Sequence, residues 1–324
     1  MRSWAVILLW GAGCLQAFGG TPITAGQLES LVAAARHKSD AEAAREISGL
    51  ELTERLGTAS FSRCVAELPG PHAREALLAL ADMSSFLDPP AGAVPDVAEP
   101  DAATQRKIVA LAVTYVTTIL HNLPNLFATR VTTSFRQDRW TGKPLRVVGR
   151  HRSRVLYRDG KERMNSIGES GETGLTTSGE FGPILGTAML DAARGNLIWI
   201  RWEKGAAGTE AVFGYAVKAN VSHYKVDGQT TAYHGEIWID PSTGTIGRIV
   251  LRSDPGTASP LLSTADIAVE YGPVELGGKT YICPLKGVAL SGDGTNSWLN
   301  EVVFEEYHLF RSNMRILPDV EPVQ

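Results

Sequence analysis

The sequence predicts an α+β protein: a helical N-terminal region followed by an antiparallel β-sheet with one inserted helix. Three observations predict it. Residues Thr24 to Leu87 are rich in Ala, Glu, Leu and Arg, the composition of helices. Beyond Pro124 the spacing of apolar residues changes from the helical period to a period of two. The apolar runs are then joined by hairpin turn signals, Asp159-Gly160, Asp227-Gly228 and Gly277-Gly278, with a wider turn at Asp240 to Gly244. Successive short turns join neighbouring strands in antiparallel order.

The chain opens with Arg2, an apolar stretch from Trp4 to Trp10, and the small residues Gly11 to Gly13, the order of a secretory signal peptide. Ala17-Phe18-Gly19 offers a cleavage site, so residues 1–19 read as a leader and the mature chain is expected to begin near Gly20. Ala12-Gly13-Cys14 also fits the end of a lipoprotein signal, which makes Cys14 a candidate for acylation; otherwise it is a small residue of a discarded leader. Either reading places the protein in the periplasm or cell envelope. No later window supplies eighteen apolar residues, and the longest, Ile108 to Leu120, contains Thr114, Thr117 and Thr118, so it reads as a buried helix and not as a membrane span.

Arg2 is the only charge in the leader, so its removal takes the formal net charge from −4 to −5. That mild balance gives no reason to expect nucleic acid as a partner. Cys64 and Cys283 remain, an even pair in a compartment that tolerates disulfides, although two free buried thiols fit the sequence equally well.

Region 20–87 should hold several short helices. Thr24 can cap one through about Arg36, and Ser39 or Asp40 another through about Ile47. After Pro71, residues Ala73, Ala76, Leu77, Leu80, Ala81, Ser84 and Leu87 form one apolar stripe. Region 88–101, with Pro89, Pro90, Pro95 and Pro100, reads as an extended linker. Region 102–123 is an amphipathic helix carrying Ile108, Leu111, Ala112, Tyr115, Val116, Ile119 and Leu123, ended by Pro124.

The β region is expected over 124–317, before a short tail, 318–324. Its strands are predicted near Ala128–Phe135, Leu145–Tyr157, Leu197–Trp202, Ala211–Val217, Ser222–Val226, Ala232–Ile239, Ile246–Leu251, Ile267–Tyr271, Thr280–Leu285 and Trp298–Phe310. The inserted helix is expected from about Phe181 to Ala193.

No standard catalytic signature is present: there is no Gly-x-Ser-x-Gly, His-Glu-x-x-His or Cys-x-x-Cys. Gly278-Lys279-Thr280 imitates the end of a phosphate loop, but Gly272 stands one residue too early and a strand follows where a helix is needed. Nothing in the sequence calls for a cofactor. His223 and His234, with Asp240 or Glu236 imaginable as a third ligand, would share a face if Val226 pairs with Gln229; two imidazoles without a third oriented ligand are poor evidence for a metal.

Arg146, Arg150, Arg152, Arg154 and Arg158 share one strand parity, which describes either an anion-facing patch or an ordinary solvated sheet face. Trp199, Trp202, Phe213, Tyr215 and Trp238, with Phe181, Ile184, Leu185 and Met189 of the inserted helix, supply the surface either for an apolar pocket between sheet and helix or for plain core.

The blocks Tyr233 to Pro241, Val269 to Val274 and Gly277 to Pro284, with Phe181-Gly182-Pro183 and Ser222-His223-Tyr224, resemble a family of exported, uncharacterised proteins of environmental bacteria. The order of strands, the inserted helix, the Asp240-Pro241-x-x-Gly244 turn and the late Tyr307-x-x-Phe310 are similar in layout to the lipoprotein-localisation factors. That likeness implies a strongly curved sheet, a half-barrel, with the inserted helix on its concave face over a cavity that takes lipid or acylated protein.

The expected function is therefore non-enzymatic binding of an apolar ligand in the cell envelope. An envelope protein-interaction module docking through residues Thr24 to Leu87, and a hydrolase whose catalytic groups leave no local motif, are the alternatives.

Overall fold

The computed structural model describes residues 20–138, 143–159, 161–166, 183–194, 197–206, 208–226, 228–254, 264–292 and 295–310. Cys14, with the whole expected leader, and Phe181 lie outside these residues.

The N-terminal helices begin where the capping chemistry places them. Thr24 caps α1 (Ala25–Ala35) and Ser39 caps α2 (Asp40–Ser48), each in a reciprocal capping box, with Gln27 and Glu42 respectively. Asp40 serves a different helix: its carboxylate accepts the amides of His72 and Ala73, at 3.1 and 2.8 Å, and so caps α4 (Pro71–Met83), whose own cap residue, Gly70, has no side chain. Burial works to raise the pKa of Asp40, but these two amides, with the nearby His72 and Arg74, outweigh it and hold the carboxyl below its ordinary range.

With α3 (Thr58–Glu67), these helices enclose a core of Leu28, Val32, Ile47, Leu52, Cys64, Leu68 and Leu77. A two-stranded parallel ribbon, β1 (Thr21–Ile23) against β2 (Leu50–Leu52), joins them and was not foreseen.

The stretch expected as a linker contains only a single 3₁₀ turn, Ala91–Ala93. It is pinned along an edge of the main sheet, since Trp202 Nε1 donates to the Ala98 carbonyl and Lys204 Nζ to that of Gly92, both at 2.9 Å. It leads into α5 (Ala102–Asn122).

The remaining strands are β3 (Leu126–Asp138), β4 (Arg146–Arg158), β5 (Lys161–Ser166), β6 (Ile198–Lys204), β7 (Thr209–Val217), β8 (Lys225–Val226), β9 (Gln229–Thr230), β10 (Ala232–Ile239), β11 (Ile246–Asp254), β12 (Thr264–Leu276), β13 (Lys279–Gly292) and β14 (Asn296–Leu309). The inserted helix is α6 (Pro183–Arg194). Ten strands form one open antiparallel sheet in the order β5-β4-β3-β14-β13-β12-β11-β10-β7-β6, and β8 with β9 forms a separate small hairpin.

The architecture is thus mixed α+β with a large antiparallel sheet that does not close. Gly277 and Gly278, with φ of 60° and 78°, make the tight turn between β12 and β13. Gly278-Lys279-Thr280 therefore opens a strand and no phosphate-binding helix follows it.

Alternation along the central strands sends side chains to two covered faces. Ile249, Leu251 and Val269 face α5 and α6, packing with Ile108, Ala112, Val116, Leu185 and Met189. Their neighbours Val250 and Ala268 face the N-terminal helices, packing with Ala79 of α4 and Phe86. Each large aliphatic side chain so buried contributes roughly 1.5–3 kcal/mol. The helical N-terminal region and the pair α5/α6 therefore lie on opposite faces of one sheet.

Candidate functional site

The expected pocket residues described on the inserted helix and the sheet, Trp238 apart, belong to one buried cluster. Ile184, Leu185, Met189, Phe213 and Tyr215 are buried in the core on the α5/α6 face, and Trp199 and Trp202 lie at its margin. Trp199 meets Trp202 and Phe213 edge-on, with ring centroids 4.9 and 5.5 Å apart. Trp238 belongs elsewhere: opposite parity on β10 puts it on the other face, with Val212 and Val250.

A cavity lies on that other face. It measures about 390 Å³ and lies between α2, β2 and α4 on one side and the β3/β4 end of the sheet on the other. Ala44, Ile47, Leu50, Leu52, Ala76, Ala79, Leu80, Met83, Leu87 and Leu145 make its apolar wall. Exposed Arg45, Gly49 and Pro144 mark where it meets solvent, while Gln137 and Ser84 stand in its buried part.

Ser84 is satisfied, donating to the Ala81 carbonyl at 2.6 Å and accepting the Leu56 amide at 3.0 Å. Gln137 donates through Nε2 to the Lys143 carbonyl at 2.9 Å, and its Oε1 is buried with no hydrogen-bond partner among the described residues.

None of these lining residues was picked out from the sequence as a binding residue. The available signal was Gln137 itself, a polar residue at a strand position where parity after Phe135 calls for an apolar one.

Beside the cavity runs a charged layer between the N-terminal helices and the sheet. Arg201 bridges Glu203 and Glu236, both at 2.9 Å; Arg55 also pairs with Glu203; Arg248 pairs with Glu270 at 2.5 Å. The guanidinium carbons of Arg55, Arg201 and Arg248 stand 5.2, 5.7 and 5.2 Å from the Trp238 ring centroid. Burial, with the nearby Arg248, pulls Arg55 down to about 10.

Further along, Lys286 reaches the fully buried Asp82 of α4 at 2.6 Å and Glu301 at 3.2 Å. Burial raises Asp82 well above the usual carboxylate range, against the opposing pull of Lys286.

The arginine row lies on this same face beyond the helices. Arg150 pairs with Glu75 of α4 at 3.1 Å, Arg152 with Glu305 and Glu306 at 3.6 and 3.4 Å, and Arg158 with Asp159 at 3.3 Å, while Arg154 stands over Phe127. Arg146 does not join them. The register of β4 against β3 slips between the pairs Ser134–Gly149 and Phe135–Val147, leaving Val148 as an extra residue, so Arg146 points to the other face. The expectation that all five share one face fails at that bulge.

The two histidines also part company. Val226 does pair with Gln229, but that hairpin is two residues long and separate from the main sheet, so it does not carry His223 beside His234. His223 sits on Asp191 of α6, with Nδ1 2.6 Å from Oδ1, its amide donating to Oδ2 at 2.9 Å, and Tyr233 donating to Oδ2 at 2.8 Å. His234 pairs with Asp254, at 2.9 Å. Among the described residues no group of three His, Cys, Asp or Glu could hold a metal ion.

Cys64 and Cys283 are both free and buried, in different cores, so the disulfide allowed by the sequence is not formed. Burial pushes the Cys283 thiol up to about 12 and makes it a poor nucleophile. No helix among the described residues is long and apolar enough to cross a membrane.

No protein-family model and no curated protein sequence matches the chain significantly. Among solved structures, it is similar to a chain described as a "putative outer membrane lipoprotein-sorting protein domain" from Vibrio parahaemolyticus, with a TM-score of 0.33 and 9% identity over 66% of this chain and 95% of that one.

Proposed function

We propose that the protein binds a small apolar or single-chain amphiphilic ligand, such as an acyl chain of a lipid or acylated protein, in the cavity between α2/α4 and the β3/β4 end of the sheet. One observation carries the reading: a space of about 390 Å³ with a largely aliphatic wall lies between the N-terminal helices and the sheet. Its size falls in the range of small-molecule sites and holds on the order of a dozen non-hydrogen atoms, at roughly 30 Å³ each. Interiors pack densely, so an aliphatic void of this size costs stability unless something occupies it.

The exposed end at Arg45 and Gly49 suits a polar head, and the buried end suits the chain. The exported setting expected from the leader would make envelope lipids the available source.

The test is to purify the protein from a native-like host and analyse organic extracts by mass spectrometry, alongside an Ala79→Phe variant that fills the space. Co-purified aliphatic ligand lost in the variant, at unchanged melting temperature, supports the reading. Absence of ligand, with no saturable uptake of aliphatic probes by the wild type, overturns it.

A further inference from the structure

We infer that the outer corner of the sheet, formed by the β4/β5 hairpin with the first residues of β3 and the last of β14, docks on the anionic headgroups of a lipid bilayer. Strand register builds this surface. Arg158 stands opposite Lys161; Leu156 stands between Arg163 of β5 and Phe127 of β3; Arg154 follows along β4 on the same face. The alternate residues Val155 and Tyr157 turn into the core with Leu126 and Ala128, so the four cations occupy the outer face, where all are exposed. This corner is at the opposite end of β4 from the cavity, whose wall includes Pro144 and Leu145, so the inference stands apart from the ligand reading.

The charge at the corner is one-sided. Among the described residues no carboxylate pairs with Arg154, Lys161 or Arg163, and the carboxylate beside Arg158 is that of the exposed turn residue Asp159, at 3.3 Å. Glu305 and Glu306 of β14 pair with Arg152, farther along the row.

Cations alone would suit any polyanion; the apolar surface set among them narrows the choice. The guanidinium carbon of Arg154 lies 5.3 Å from the Phe127 ring centroid, and that of Arg158 lies 5.9 Å from that of Phe310, which is 40% exposed. A bilayer presents its anions directly above hydrocarbon, so an exposed aromatic ring between cations gains there as well as the charges do. Each Lys or Arg brought to such a surface strengthens binding about fivefold.

Co-sedimentation of the mature protein with vesicles tests this, using pure phosphatidylcholine against an equimolar mixture with phosphatidylglycerol. The wild type should bind the anionic vesicles at least about tenfold more tightly, and the preference should fade as salt is raised. Arg158→Gln combined with Arg163→Gln should weaken that binding about 25-fold. Phe310→Ser should weaken it several-fold without altering the charge. Arg106→Gln combined with Lys107→Gln makes the same change in net charge on α5, across the sheet, and should leave binding within about twofold. Every side chain exchanged is exposed, and circular dichroism checks that the variants fold.

Failure of the wild type to bind anionic vesicles, or equal binding to neutral ones, overturns the inference. So does wild-type affinity in the Arg158/Arg163 variant, or an equal loss in the α5 variant, which would mark an effect of net charge alone. Wild-type affinity in Phe310→Ser overturns the assignment to a bilayer. Capture by immobilised poly-glutamate without binding to vesicles would assign the corner to acidic proteins, and it too overturns the inference.

Discussion

Glu203 and Glu210 stand directly opposite each other across β6 and β7, yet the cations are shared unequally. Arg55 and Arg201 both pair with Glu203. Glu210, left with burial and with the charges of Glu203 and Asp240, is pushed up to about 7. Burial, reinforced by the charges of Glu203 and Asp240, thus keeps the proton on Glu210 well above the usual carboxylate range.

That asymmetry makes stability fall with rising pH. An unfolded glutamate releases its proton near 4.5, whereas Glu210 keeps its own to about 7, so between those values the native state binds more protons and each step up in pH favours unfolding. Glu210→Gln should abolish this slope and, at pH 8, stabilise the protein by about 2–3 kcal/mol relative to wild type, with little difference at pH 4.5. Melting curves across that range check it; parallel curves for the two proteins would contradict it.

Lys286 joins α4 to the sheet through Asp82 and Glu301 in a site where Asp82 is fully buried. Removing the cation alone strands that carboxylate, so Lys286→Met should cost about 3–5 kcal/mol. Combining it with Asp82→Leu should recover most of the loss, because the charge to be solvated goes with its partner. Urea denaturation of the single and double variants measures both.

Asp191 accepts three hydrogen bonds, two from His223 and one from Tyr233, and thereby ties the segment before β8 to the last turns of α6. Asp191→Ala leaves the buried Tyr233 hydroxyl unpaired and should cost about 1–3 kcal/mol. Hydrogen exchange at the amides of His223 and Tyr224 should rise well above that elsewhere on the face; unchanged protection would show the segment is held by other contacts.

Gly244 closes the turn between β10 and β11 with φ of 76°, and a Cβ there would overlap the backbone of Leu111 in α5. Gly244→Ala should destabilise by about 2 kcal/mol or more, through left-handed strain added to displacement of the helix. A thermal melt gives the value, and an effect under about 0.5 kcal/mol, the range of ordinary surface changes, would refute the packing argument.

The sequence by itself determined the local elements. Thr24 and Ser39 announce their helices because a side-chain oxygen satisfies amides only three residues away. Gly277-Gly278 announces its hairpin because few residues tolerate positive φ twice in succession. The mixed α+β class and the antiparallel sheet follow from such short-range chemistry together with the change of period at Pro124.

Only the tertiary structure decided which faces those elements share. The stripe of α4 announces one apolar side, but Ala79 and Asp82 show that the helix is buried on a second side, against the sheet. Trp238 and Phe213 look alike in sequence and end on opposite faces, because strand parity sends one towards the N-terminal helices and the other towards α6. A single bulge at Val148 turns Arg146 away from its row. The cavity has walls from α2, β2, α4 and the β3/β4 end of the sheet, far apart in the chain, and a space between elements has no sequence of its own. Its one legible trace was Gln137, a buried acceptor where an apolar residue was due.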